Sequence, residues 1–368
     1  MDTLNIITLG IVAFLILRLC VLVYNYLTKP FLTEAWSTSD KLVSILIPAR
    51  NEEQNIGLLL SDLINQDYLK TEILVYDDLS EDATATIIEE YAHRDSRIRL
   101  LRGTILPEGW LGKNHACYRL ASEARGQYFL FIDADVRLHR SAISSALTYT
   151  EKRALHALSV FPTQIMLTRG ERALVPLMHW VLLTLLPLRL VEKSRYSSLA
   201  AANGQFFLHE AAQYLKFQWH KRYRNHRVED VAIARALKSE GLRMATLLGN
   251  RLVNCRMYKS YTDALQGFSK NFRFFFGNNL VLMYVFILVS TFGWLLPLVS
   301  WSWYFSVPFI GVLVLQRCML AKLTTGNCKQ ALLDAPMQQA ALIHLALRIG
   351  LTSSRRGLQW KGRHLTEY

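Results

Sequence analysis

Short apolar runs that each end in acidic residues constrain this chain more than any other feature. Leu42–Ile47 (LVSILI), Ile73–Tyr76 (ILVY) and Tyr128–Ile132 (YFLFI) have the length and unbroken hydrophobicity of buried strands. Between the first two, Glu53–Gln66 carries Ile56, Leu59, Leu60 and Leu63 at helical spacing, and Ala83–His93 reads as a further helix. Strand–helix alternation at this spacing predicts an α/β fold with a parallel, doubly wound sheet. Ligands of such sheets bind beyond the carboxyl ends of the strands. The residues after each apolar run are therefore the ones to inspect.

Those residues are polar and mostly acidic. The first run leads into Pro48-Ala49-Arg50-Asn51-Glu52-Glu53, the second into Asp77-Asp78-Leu79-Ser80-Glu81-Asp82, the third into Asp133-Ala134-Asp135. Carboxylates gathered at one sheet edge repel each other unless a cation or hydrogen-bond donors compensate. Mg²⁺ or Mn²⁺ suits such a place, because a hard cation needs few protein oxygens when phosphates supply the rest. An isolated Asp-x-Asp is commonly a solvated turn; in register with two other acidic strand ends it points to function. Further on, Glu229-Asp230 opens a helical pattern that ends at Gly241. Acids suit a helix N-terminus on electrostatic grounds alone, so a capping role and a catalytic role are both open. Lys113, in Gly109-Trp110-Leu111-Gly112-Lys113, reads either as a solvated loop lysine or as a basic group facing the site.

The flanks read as membrane segments. Hydrophobic residues make up 51% of the 368, more than in a typical soluble enzyme, and the net charge is +13. Ile6–Leu27 is an apolar run of spanning length interrupted by Arg18. It lacks a basic leader and a small-x-small cleavage site, so it is expected to be a retained anchor rather than a signal peptide. Lys29 and the basic residues after it place its C-terminal end in the cytoplasm. Ala173–Leu190 is apolar but holds Pro176, His179, Pro187 and Arg189, which fits an interfacial or re-entrant helix or a buried core helix. Leu280–Val299 and Phe305–Leu320 flank Ser300–Tyr304 and predict a helical hairpin with Trp301, Trp303 and Tyr304 at the far interface. Pro336–Leu351, with Gln338, Gln339, His344 and Arg348, is expected to be an interfacial helix or third span, before a cytoplasmic tail carrying Arg355, Arg356, Lys361 and Arg363. The expected organisation is an anchor over 1–30, a catalytic domain over 40–275, a membrane hairpin over 279–321 and a final membrane-associated segment over 335–368. Five cysteines without C-x-x-C spacing speak against a disulfide framework or zinc knuckle and for reduced thiols. No nucleic-acid-binding signature accompanies the basic charge, so membrane rather than nucleic acid is the expected partner.

In order and spacing, PARNEE, DDLSED, DAD and Val228-Glu229-Asp230 resemble the motif set of family 2 glycosyltransferases over about residues 42–275. The resemblance implies a GT-A fold, a Rossmann-like, mostly parallel sheet with flanking helices and a metal-binding DxD. At matched positions it implies that Ala49 and Glu52 line the nucleotide base and ribose, with Asp77 or Asp78 near the base. Asp135 would hold Mg²⁺ or Mn²⁺ on the donor diphosphate, with Asp133 beside it and Lys113 facing the donor. Asp230 would be the catalytic base, with Glu229 its neighbour in the motif, and Asn203–Phe206, including Gly204 and Gln205, would face the acceptor. A single base suits the chemistry: a diphosphate leaving group needs a counter-charge rather than the protonation a glycosidase supplies with its second carboxyl. The GW-x-GK segment is similar to that of carotenoid- and hopanoid-associated transferases. Processive synthases carry Q-x-x-R-W where this chain has Lys270-Asn271-Phe272-Arg273-Phe274, which keeps only Arg273, a candidate diphosphate contact. The resemblance thus implies inverting transfer of one sugar from a UDP-sugar or similar nucleotide-sugar to a hydroxyl of a lipid-soluble acceptor at the cytoplasmic face of the inner membrane. A polysaccharide synthase of the same family and an inactive membrane scaffold are the rival readings. The basic block Lys221–Arg227 suits lipid headgroups, the diphosphate or plain solvent equally well.

Overall fold

The computed structural model describes residues 3–300, 303–352, 358–360 and 363–365. Trp301, Arg355, Arg356 and Lys361, and the side chains of Trp303, Tyr304 and Arg363, lie outside what is described.

A seven-stranded sheet forms the centre. Its strands are β1 (Val43–Ala49), β2 (Thr71–Asp77), β3 (Ile98–Arg102), β4 (Tyr128–Ile132), β6 (Ala157–Phe161), β8 (Phe206–Glu210) and β9 (Met244–Leu248). Three shorter strands, β5 (Val136–Leu138), β7 (Thr163–Gln164) and β10 (Val253–Cys255), make a second sheet. The large sheet runs β3-β2-β1-β4-β8-β6-β9. The β1–β2, β2–β3, β1–β4 and β6–β9 pairs are parallel, as the strand–helix alternation predicts. The exception is β8, antiparallel to both β4 and β6.

Strand alternation divides β1 between two apolar layers. Ile45 and Ile47 join Leu59, Leu130 and Leu158 on one face, and Leu46 joins Phe129, Leu120 and Ile233 on the other. Burial on both faces explains why these strands read as continuous apolar runs rather than alternating ones. The expected helices form as Ile56–Ile64, Thr84–Arg94 and Glu229–Ser239.

Among the described residues one helix, Thr3–Thr28, is long and apolar enough to cross a membrane, or up to three spans exist if each of two bent helix pairs counts as one. Its 26 residues extend about 39 Å, more than the ~30 Å hydrocarbon thickness. Arg18 faces other helices: it donates to Thr184 Oγ1 and to Ser290 Oγ at 3.0 Å. Ala173–Leu190 is not one helix. It breaks into Arg169–Leu174, Pro176–Leu185 and Leu188–Lys193, with Pro176 opening the second and Pro187 capping the third, and packs against the N-terminal helix. Leu280–Val299 is likewise divided, into Leu280–Phe292 and Leu295–Ser300. Thirteen residues reach only about 20 Å. Leu280–Phe292 turns by 103° from Tyr261–Phe276, through Gly277 and Asn278, both with left-handed backbone. Pro336 falls inside a single helix, Cys328–Thr352, instead of starting one.

Candidate active site

The antiparallel β8 decides what the acidic edge faces. Its register sets Phe206 against Ile132, so the turn before β8 meets the residues after β4. Asp133 N donates to Gln205 O at 3.3 Å across this junction. In the second sheet, Cys255 pairs with Val136 and comes to rest beside Asp135.

Within the Asp133-Ala134-Asp135 motif the two acids are not equivalent. Asp133 is tied to Lys113, whose Nζ lies 2.7 Å from Oδ1 and 2.9 Å from Oδ2. The same Nζ lies 3.8 Å from Glu229 Oε1. Burial works against the lysine's charge, but Asp133 and then Glu229 outweigh it and hold its pKa above the ordinary value. Asp135 has no such cation. Its Oδ1 is buried without a hydrogen-bond partner. Burial, then the charges of Asp133 and Glu52, push its pKa up, while a hydrogen bond from the Cys255 thiol opposes the rise. Cys255 Sγ in turn accepts from Gln205 Nε2 at 2.9 Å.

Glu229 and Asp230 open their helix without capping it. The N-cap position is Val228, and Asp230 instead takes Gly204 N–H on Oδ2 at 2.9 Å and Val231 N–H on Oδ1 at 2.7 Å. The Gly204 bond comes from another element, so Asp230 is fixed by tertiary structure rather than by the helix end. Burial raises the pKa of both acids. A Cβ on Gly204 would stand 3.2 Å from Lys113 Nζ and 3.7 Å from Asp230 Cβ, so a side chain there would crowd both. Lys113, Asp133, Gly204, Glu229 and Asp230 line one cleft, with Pro48 on its wall.

The floor of the cleft is apolar and uncharged. His220, which lines it, bonds Tyr214 Oη through Nδ1 at 2.8 Å, and burial drives its pKa well down. His209 beneath is pushed down to about 3 by burial. Two neutral imidazoles and the rings of Phe131 and Phe207 lower the local dielectric and strengthen the Lys113–Asp133 attraction.

The residues expected on the nucleotide side sit at the ends of β1 and β2. Ala49 is buried, and its carbonyl accepts from Asp78 N at 2.8 Å, which joins the two acidic loops. Asn51 and Leu79 both take left-handed backbone, at φ 52° and 56°, uncommon for non-glycine residues and concentrated at functional sites. Arg50 braces the second loop by donating to Asp78 O and Leu79 O. Asp77 caps that loop by accepting from Ser80 N, and Glu52 binds Asn55 Nδ2 at 2.7 Å. Gln205, expected to face an acceptor, turns its amide to Cys255 and Asn203. Arg273 is not among the residues lining the cleft; its guanidinium stacks over Phe274 in the turn 272–276. Cys255, Cys117 and His220 are site residues that sequence reasoning missed. Cys117 lies one helical turn from Lys113, a spacing that could have flagged it; nothing local marks Cys255.

Residues 44–200 match the family model described as glycosyl transferase family 2. Over those residues the chain is similar to family 2 glycosyltransferases. It is 27% identical over 232 residues to a 4,4'-diaponeurosporenoate glycosyltransferase of Staphylococcus haemolyticus strain JCSC1435, covering 62% of this chain and 60% of that one. It is 30% identical over 245 residues to the protein of the same name from Staphylococcus aureus strain N315, covering 65% and 63%. The chain thus matches about three fifths of the length of these relatives. In structure it is similar to mannosyltransferase PcManGT from Pyrobaculum calidifontis, in complex with GDP-Man and Mn²⁺, at a TM-score of 0.59 and 17% identity, covering 96% of this chain and 100% of the other. That likeness shows the fold, a mixed α/β GT-A sheet with flanking helices.

Proposed function

We propose that the chain transfers a single sugar from a nucleotide-sugar donor to an oxygen of a lipid-soluble acceptor, with a divalent cation and inversion at the anomeric carbon. The observation that carries this reading is the division of charge at the sheet edge: Asp133 is neutralised by Lys113, Asp135 keeps a bare buried oxygen, and Asp230 stands apart on the Gly204 amide. The bare oxygen of Asp135 fits a hard cation that takes its other ligands from a diphosphate. Such an ion, Mg²⁺ or Mn²⁺, would neutralise the charge that develops on the leaving diphosphate. Lys113 holds Asp133 in place and adds positive potential beside the same group. The acceptor oxygen attacks the anomeric carbon as the bond to the diphosphate breaks, and Asp230 takes the hydroxyl proton. The GDP-Man and Mn²⁺ of the Pyrobaculum enzyme support a nucleotide-sugar and a metal here, and a UDP-sugar is the proposed donor.

The names of the staphylococcal relatives support a carotenoid-type acceptor. They also favour a second reading of the nucleophile. An acceptor that ends in a carboxylate is ionised at neutral pH and has no proton for Asp230 to remove. Together with the apolar helix Thr3–Thr28, the basic residues after it support a catalytic domain on the cytoplasmic face. The test is donor titration and lipid mass spectrometry on purified protein in Mn²⁺. Asp135→Ala is expected to abolish the sugar-bearing lipid and to weaken donor binding greatly. Donor affinity near that of the wild type in this variant would overturn the metal assignment.

A further inference from the structure

A second cavity lies among the helices, away from the sheet edge. It holds about 30 Å³ of free space, with Leu177, Trp180 and Leu342 on its walls and Arg317, Gln338 and Gln339 as its polar lining. Ala173 and Leu174, on the same short helix as Glu171, stand at one side; Glu171 pairs with Arg256 at 2.8 Å, next in sequence to Cys255. The cavity shares no lining residue with the catalytic cleft.

Its charge is unbalanced. The guanidiniums of Arg18 and Arg317 lie 4.4 Å and 6.0 Å from the centre of the same indole ring, that of Trp180. Among the described residues, all their hydrogen-bond acceptors are neutral. Arg18 uses the hydroxyls of Thr184 and Ser290, and Arg317 Nη1 donates to Gln338 Oε1 at 2.6 Å. Among the described residues no carboxylate lies within ion-pair distance of either arginine; nearby Asp334 is paired to Arg172 at 3.0 Å. Two positive charges set between apolar helices without a counter-charge are costly, and charged groups in such segments usually mark a functional site. An anion in the cavity would balance them.

The walls restrict what carries that anion. They are apolar, so the charge belongs to the end of a hydrocarbon chain. The free space, about 30 Å³, is that of one or two waters, room for a carboxylate head group alone, so the chain attached to it must leave between the helices. A carboxylate matches the planar fork of a guanidinium. Gln339, whose Oε1 accepts from Thr291 Oγ1 at 3.1 Å, leaves its amide nitrogen for a second bond. We propose that this cavity binds the carboxylate end of a long-chain acid from the membrane, with Arg317 as the contacting cation and Arg18 as the charge behind it. The inference goes beyond sugar transfer and does not depend on it.

Binding is measured without any nucleotide-sugar, so a failure here is distinct from a failure of the transferase reading. The probe is a fatty acid dibrominated a few carbons from its carboxylate, titrated into the full chain in detergent micelles and read as quenching of the fluorescence that Trp180→Phe removes. The fatty acid is expected to quench, and the matching fatty alcohol to quench only at much higher concentration. Arg317→Gln is expected to weaken binding roughly ten- to hundredfold, the scale of a lost charge-assisted hydrogen bond, and Arg317→Lys to recover part of it. Equal binding of acid and alcohol by the wild type would overturn the proposal, and that comparison needs no variant to fold. So would unchanged binding by Arg317→Gln, or tighter binding of an alkyl phosphate than of the acid.

Discussion

At the residue scale, the two acids at the start of helix Glu229–Ser239 separate position from chemistry. Asp230→Asn keeps an oxygen for the Gly204 N–H and nearly the same volume but loses basicity. With a hydroxyl acceptor, transfer is expected to fall ~10²–10⁴-fold, the usual contribution of a general base, while donor affinity stays unchanged. Initial rates beside donor titration on one preparation check this; a rate within a few-fold of wild type leaves Asp230 without a base role and turns attention to a carboxylate acceptor. Asp133 and Asp135 were legible as a pair because the motif follows an apolar strand, but their different duties were not. That difference depends on Lys113, brought in by the N-terminal turn of helix Gly112–Glu123. Cys255 was out of reach for the same reason: it meets Asp135 only through the β5–β10 pairing, across 120 residues of chain.

At the element scale, strands buried on both faces announced themselves and edge or reversed strands did not. β1, β2 and β4 are apolar throughout, whereas β3 (IRLLR) is an edge strand with exposed positions. Nothing in Phe206–Glu210 betrays that β8 runs antiparallel. The helical breaks in Ala173–Leu190 and Leu280–Val299 were hidden because hydropathy records apolar length and not continuity. The loop after β3 carries a sharper constraint. A Cβ on Gly103 would stand 2.5 Å from Asp77 O and 3.1 Å from Asp78 Cα, both backbone atoms of the acidic loop. Gly103→Ala must therefore displace that loop. We expect a stability loss of about 1–3 kcal/mol, the range for overpacking, together with weaker donor binding. Denaturant unfolding and donor titration would detect both, and wild-type values in each would show that the loop yields freely.

At the scale of the whole molecule, the acidic edge makes stability depend on pH and on counter-charge. Burial, aided by neighbouring acids, raises the pKa of Asp135 and Glu229, and burial raises that of Asp230. A carboxyl whose folded pKa lies above its unfolded value holds more protons when folded, so its contribution is present at low pH and lost as pH rises through the folded value. The protein without metal or nucleotide is therefore expected to lose thermal stability as pH climbs above the ordinary carboxylate range of ~4. Mn²⁺ with a nucleoside diphosphate should restore it most at the upper end. Melting curves across pH, with and without both, test this; a metal-free melting temperature that rises over the same interval would contradict the burial of these acids.

The passage from the N-terminal helix into the sheet is short and firmly held. Asn25 bonds Leu183 O, Leu186 O and Leu188 N, Phe31 bridges to Leu248 on β9, and Leu32 is fully buried in the sheet's core. The sheet is thus held tightly to that helix, not tethered by a slack linker. With that helix set across a bilayer, the cleft would stand at one height above the lipid and could neither dip nor swing to meet a substrate. Acceptors would then be sorted by a gauge: only those whose reactive oxygen protrudes to that level could be served, however well the rest of the molecule fits.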